Sequence, residues 1–91
     1  MIGLTRHLAV ELGPHGICVN AVAPGLMLTK RARKIWEALP EDKREAMLSR
    51  IPLRRIAEVE EVAKAIAFLA SDDASYLNGV SLDVNGGLYM A

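Results

Sequence analysis

Few side chains in this sequence could carry chemistry, and their spacing narrows the choice further. His7 has Glu11 one turn on, but neither His7 nor His15 belongs to a set of ligands at metal spacing, so both read as surface or interface residues. A single cysteine, Cys18, excludes an internal disulfide and any cysteine-built zinc site, and it reads as a small buried hydrophobe. Asn20 stands inside an apolar run, where a structural hydrogen-bonding role outweighs a catalytic one. Pro24-Gly25 is an ordinary turn dipeptide, and Thr29 suits the N-cap of a helix beginning at Lys30. Arg31, Arg33 and Lys34 form a short basic cluster. A solvated face is its default reading, with an anionic substrate group as the alternative. Trp36 reads first as a packing anchor and second as a substrate contact.

The elements that must position these residues follow from composition and period. The chain has 91 residues, enough for one small domain, and 52% hydrophobic with 24% charged residues is a globular rather than a disordered balance. Eleven basic and eleven acidic residues give zero net charge, so no electrostatic footprint for nucleic acid or an anionic membrane follows. The longest apolar run, residues 65–70, is far short of the roughly 20 residues of a membrane span. The opening residues place their first positive charge after the apolar ones, the wrong order for a secretory signal, and the expectation is a cytoplasmic protein.

Residues 1–12 read as a helix that is apolar nearly all round, stopped by Gly13 and Pro14. Residues 17–23 form a short, non-alternating apolar run that suits a strand covered on both faces. Residues 29–50 are charged and helical in two pieces broken at Pro40, a pattern that suits a mobile cover. The clearest helix has Val59, Val62, Ala63, Ile66, Ala67 and Ala70 on one stripe, with Glu60 and Glu61 at its positive end. Residues 80–84 are the second strand candidate, followed by Asn85-Gly86-Gly87. Two strands joined by such a crossover should be parallel neighbours. A two-stranded parallel sheet has too little buried face to stand alone, so the chain reads as one end of a larger α/β sheet.

Taken in order, Ile2-Gly3-Leu4-Thr5-Arg6, Gly16 through Gly25 with Val19-Asn20-Ala21 and Ala23-Pro24-Gly25, Thr29, residues 51–55, Glu60-Glu61-Val62-Ala63, Phe68-Leu69-Ala70-Ser71 and Asn78-Gly79 through Asn85-Gly86-Gly87 resemble the short-chain dehydrogenase/reductase family. The resemblance covers essentially the whole chain but matches only the last third of a doubly wound, Rossmann-like α/β fold. It implies that residues 1–91 are the C-terminal part of that domain, with the N-terminal cofactor-binding and catalytic part absent and residues 30–50 forming substrate-covering helices. The family uses NAD or NADP to move a hydride between nicotinamide and an alcohol or carbonyl substrate; 3-oxoacyl-carrier-protein reductases and polyol dehydrogenases are the relatives that the residues suggest.

By the same resemblance, Pro24 and Gly25 shape a turn against the nicotinamide, the Met27 backbone meets its carboxamide, and the Thr29 hydroxyl bonds the carboxamide or pyrophosphate. The family's general acid/base is a tyrosine four residues before a lysine, beside a serine. Tyr76 and Tyr89 are the only tyrosines and neither has that lysine; no glycine-rich phosphate turn is present either. No catalytic residue is therefore assigned, and the 91 residues alone are expected to be inactive and to bind no cofactor. The competing reading is a non-enzymatic remnant that at most associates with intact homologous subunits, through helix 1–12 and the C-terminal strand, the surfaces on which family members form homo-oligomers. Two departures stand out: Ala57 replaces a common glycine, and Val59 replaces a common proline, which leaves Glu58 as a poor N-cap.

Overall fold

A computed structural model of the chain describes residues 2–88. Helix α1 spans Ile2–Leu12 and is followed by a single 3-10 turn, Gly13–His15. Pro14 fits the second position of that turn, because its missing N–H would have no helical partner there. The chain therefore runs one turn beyond the expected stop. Gly16, at φ 75°, takes the left-handed conformation expected of Gly13 and donates its N–H to Gly13 O at 2.9 Å.

Strand β1 covers Ala21–Pro24 and pairs in parallel with the last strand, which covers Ser81–Val84, in the register Ala21↔Ser81 to Pro24↔Val84. The expected strand over 17–23 is thus shorter and ends one residue later. Its first half is replaced by a side-chain clamp. Asn20 Oδ1 accepts the Val80 N–H at 2.9 Å, and its Nδ2 donates to Leu77 O at 3.0 Å. Asn78 Oδ1 accepts the Val19 N–H at 2.9 Å, and its Nδ2 donates to Ala9 O at 3.1 Å. Amide side chains here take bonds that a backbone ladder would otherwise make. Gly79 sits within the clamp at φ 76° and donates its N–H to Val19 O. Cys18 lies just before the strand and is exposed, contrary to the buried reading; its thiol reaches Ser75 O at 3.9 Å.

After β1 the chain makes a second, smaller parallel pairing. Strand β2 is only Met27–Leu28, and it pairs with β3, Ala57–Glu58. Helices α2, Lys30–Ala38, and α3, Glu41–Leu48, lie between them, broken at Pro40 as the sequence indicates. Helix α4, Val59–Leu69, leads through a 3-10 turn, Asp72–Ala74, to the last strand, β4. Among the described residues there are two two-stranded parallel sheets rather than one.

Helix α4 departs from its expected packing. Val62 is buried and Ala65 and Leu69 are half-buried, whereas Val59, Ala63, Ile66, Ala67 and Ala70 of the stripe are exposed. Ile66, Leu69 and Ala70 line an open cleft with Thr5, Cys18, Asn20, Ala21 and Val22, beside the edge of β1 that does not pair with β4. The stripe faces a space that these residues do not fill. Glu58 also proves adequately capped. The Glu61 carboxylate reaches back to accept the Glu58 N–H at 3.0 Å, so the helix start is held from its third position.

Candidate cofactor-facing site

Residues 24–29 leave the carboxyl end of β1, the place where ligands bind on open α/β sheets. Three sets of contacts fix their path. First, Gly25 donates its N–H to Val84 O at 2.9 Å and lies flat against Asn85. A Cβ at residue 25 would meet Asn85 Cβ at 2.8 Å and its Cα at 3.1 Å, so glycine is required by close approach. Second, Ala57 donates its N–H to Leu26 O at 3.3 Å, and β3 holds β2 in parallel register. In that bonding pattern Leu26 O faces β3, and the N–H and C=O of Met27 itself point away from it. Third, Thr29 caps α2: its Oγ1 accepts the Ala32 N–H at 3.1 Å, and its carbonyl accepts the Arg33 N–H at 2.8 Å. Thr29 O–H keeps its own proton available for donation. The four residues singled out from the sequence, Pro24, Gly25, Met27 and Thr29, therefore lie on one short segment, with Pro24 and Thr29 exposed and Gly25 and Met27 half-buried.

Behind the segment the turn Asn85-Gly86-Gly87 acts as a buttress. Asn85 Oδ1 accepts the Gly87 N–H at 3.0 Å, Leu53 donates its N–H to Gly86 O at 3.1 Å, and the buried Ile51 touches Gly86. Gly86 and Gly87 have φ 62° and 92°, which only glycine adopts without strain. On the other side, Met27, Ala32, Trp36, Leu39, Met47 and Ile56 are among the residues that line an open apolar cavity of about 210 Å³ beneath α2 and α3. Trp36 is half-buried there and packs as an anchor of the helical pair.

The charged rim is paired across elements. Arg33 on α2 meets Glu58 at 2.5 Å, and Arg55 grips Glu61 with both guanidinium nitrogens, at 2.6 and 2.7 Å. The Arg55 hydrogen bonds, then the Glu58 backbone N–H, hold the Glu61 carboxyl well below the usual carboxylate value, at about 2. The same contacts raise the arginines, Arg33 through Glu58 and Arg55 through Glu61. Of the basic cluster seen in the sequence, Arg33 is thus engaged in a salt bridge. His7 meets Glu11 at 3.2 Å on the exposed side of α1. No group of three or more metal-ligating side chains occurs among the described residues.

A family profile described as enoyl-(acyl carrier protein) reductase matches residues 1–89. The chain belongs to the short-chain dehydrogenase/reductase family. It is 52% identical over 89 residues to the 3-oxoacyl-[acyl-carrier-protein] reductase FabG of Pseudomonas aeruginosa, covering 98% of this chain and 34% of that protein. It is 46% identical over 90 residues to the reductase of the same name from Escherichia coli K12, covering 99% of this chain and 35% of the relative. The crystal structure of YwfH, an NADPH-dependent reductase involved in bacilysin biosynthesis, superposes with a TM-score of 0.86 at 33% identity. That match covers 99% of this chain and 37% of the other. The chain therefore spans about a third of the length of these relatives, and it is α/β with parallel strands, as the sequence indicates.

Sequence reasoning missed two contributors to the segment's geometry. The β2–β3 pairing is two residues long on each side, too short for any periodicity to register. Asn85 was visible as turn chemistry, but its contact with Gly25 depends on a separation of 60 positions that no local signal encodes.

Proposed function

We propose that this chain supplies the nicotinamide-facing segment and the substrate cover of an NAD(P)-dependent carbonyl reductase of the 3-oxoacyl type. The observation that carries the reading is the pinned segment 24–29, with the Met27 backbone turned away from β3 and a donor hydroxyl at Thr29. These groups fit a nicotinamide carboxamide, which offers one acceptor oxygen and two donor hydrogens. Pro24 and Gly25 shape the turn against the ring, Met27 meets the carboxamide through its backbone, and Thr29 donates to the carboxamide or to the pyrophosphate. When bound, the nicotinamide supplies the hydride. Helices α2 and α3, within residues 30–50, cover the substrate, a role that the apolar cavity under Trp36 supports. The complete enzyme is cytoplasmic and acts as a homo-oligomer through α1 and the C-terminal strand.

The residues of this chain orient and exclude water; the proton chemistry of the family belongs to a Tyr-x-x-x-Lys pair, which these 91 residues do not contain, and its partner serine. The test is a chimera in which the first two-thirds of the Pseudomonas reductase precede this chain. It is expected to oxidise NADPH with a 3-oxoacyl thioester, while the 91-residue chain alone shows no turnover above a mock purification. A chimera that folds and binds cofactor but reduces no 3-oxoacyl thioester would overturn the substrate assignment. One that folds without binding cofactor would favour the reading as a non-enzymatic remnant.

A further inference from the structure

Thr29 must hold its hydroxyl at a fixed place to serve a cofactor, yet little beneath it is filled. Helix α2, which Thr29 caps, has its apolar side over an open cavity of about 210 Å³. Close-packed neighbours normally fix the direction of a helix, and here they leave that direction open. The pairing of β2 with β3 is two residues long on each side, too short to be rigid by itself. A directed contact has to supply what packing does not.

Arg33 supplies it. Its guanidinium meets the Glu58 carboxylate at 2.5 Å. Among the described residues this is the one side-chain hydrogen bond or ion pair from α2 to another element. Glu58 is the β3 residue paired with Leu28, which immediately precedes Thr29. The Arg33 N–H in turn donates to Thr29 O at 2.8 Å. The contacts therefore close a ring that runs from Leu28 through Thr29 and the first turn of α2 to Arg33, then across Glu58 back to Leu28. The far side of the ring is anchored as well. The Glu58 N–H donates to Glu61, whose carboxylate Arg55 grips with two nitrogens. Glu58 stands where Ser, Thr, Asp or Asn would cap best, and its longer side chain is what spans to α2. Glu37 and Glu60 act on Arg33 only from longer range.

We propose that the Arg33–Glu58 ion pair is a strap that positions the Thr29 hydroxyl at the nicotinamide end of the cofactor. Arg33 is then a positioning residue that acts through Thr29. The proposal rests on the cofactor role given to residues 24–29 above. Both side chains of the pair are about half exposed, so it belongs to the weak, water-screened class and its removal should act a few-fold.

The test uses the chimera with the first two-thirds of the Pseudomonas reductase, titrated calorimetrically with NADPH and with adenosine 2′,5′-bisphosphate. The bisphosphate has neither nicotinamide nor pyrophosphate, so it lacks both groups that Thr29 would meet. Arg33→Gln and Glu58→Gln should each weaken NADPH about threefold and leave the bisphosphate unchanged. The double variant should lose no more than either single one, because one ion pair cannot be removed twice. Arg33→Lys should keep most of the affinity, and Glu37→Gln should change it less than twofold. Parallel losses for both ligands, or additive losses in the double variant, would reduce the ion pair to general stability and overturn the proposal. Loss in Thr29→Ala without loss in Arg33→Gln would overturn the strap and leave the cofactor role of Thr29 standing. Loss in neither would overturn both.

Discussion

At Thr29 one hydroxyl has two uses that point in opposite directions. Its oxygen accepts the Ala32 N–H and so caps α2, while its proton is free to be donated to a cofactor. Substitution separates the two. In the chimera, Thr29→Ala should weaken cofactor binding about fivefold, equivalent to roughly 1 kcal/mol for one neutral hydrogen bond. Thr29→Ser should restore it. Thr29→Asp keeps the cap but brings no proton to donate, so it should bind as weakly as alanine or worse. A cofactor dissociation constant unchanged in Thr29→Asp would leave the residue with its cap alone. Glu61 gives a second residue-scale test. Its carboxyl titrates at about 2 in the folded chain against the usual 4.5, because Arg55 and the Glu58 N–H favour its charged form. A depressed carboxyl stabilises the fold above its unfolded value and loses that contribution as pH falls. In the chimera, the urea midpoint difference between the parent and Glu61→Gln, followed by helical signal, should thus be constant above pH 4.5 and shrink between 4.5 and 2. A difference that grows on acidification would contradict the ion pair.

At the scale of elements, the amide clamp decides where the main sheet begins. Asn20 replaces a backbone carbonyl as the acceptor for Val80, and Asn78 ties α1 to residue 19. Asn20→Ala leaves that N–H without its acceptor in a half-buried setting, at a cost of about 1–3 kcal/mol. Hydrogen exchange at Val80 should accelerate by tenfold or more, while Leu82 within β4 changes far less. Equal acceleration at both would mean that the clamp only stabilises globally. The same clamp explains what the sequence could disclose. Helices α1 to α4 and both long strands were legible because their apolar period or their bounding Pro and Gly residues are local properties. The parallel pairing followed from the length of the crossover. The start of β1 was not legible, since the Asn20 side chain ends the run of backbone pairing by bonding Val80, 60 positions away. The packed face of α4 was misjudged for a related reason: periodicity identifies an apolar stripe but not which part of it meets a neighbour. In the candidate segment, Pro24, Gly25, Met27 and Thr29 were singled out through family resemblance, whereas the residues that pin the segment gave no local signal.

The whole molecule is extended for its size. Its radius of gyration is 16.1 Å and its extents are 52 × 23 × 19 Å, whereas a compact chain of this length would have a radius of about 12 Å. It exposes 6853 Å², against roughly 5,200 Å² for a compact monomer of this mass. The buried apolar residues are Ala9, Ile51, Val62 and Ala74, and no large side chain among the described residues is fully enclosed. Meanwhile Ile2, Leu4 and Val10 on α1 are 51%, 59% and 79% exposed, and Ile66 and Phe68 on α4 are 52% and 45% exposed. One edge of β1 has no strand beside it among the described residues. Such a surface combines apolar area with unspent backbone groups, both of which favour association over a free monomer. The 91-residue chain is therefore expected to sediment as an oligomer or aggregate, or to populate a loosely packed state that binds a hydrophobic dye. Replacing Leu4 and Val10 by lysine removes apolar area from α1 without touching its packed residues, Thr5 and Ala9. This double variant should shift the sedimentation distribution towards smaller species. A wild-type chain that runs as a monodisperse monomer and melts in one sharp transition would show that so small a core is sufficient, and the open edge and apolar helix faces would then need no partner.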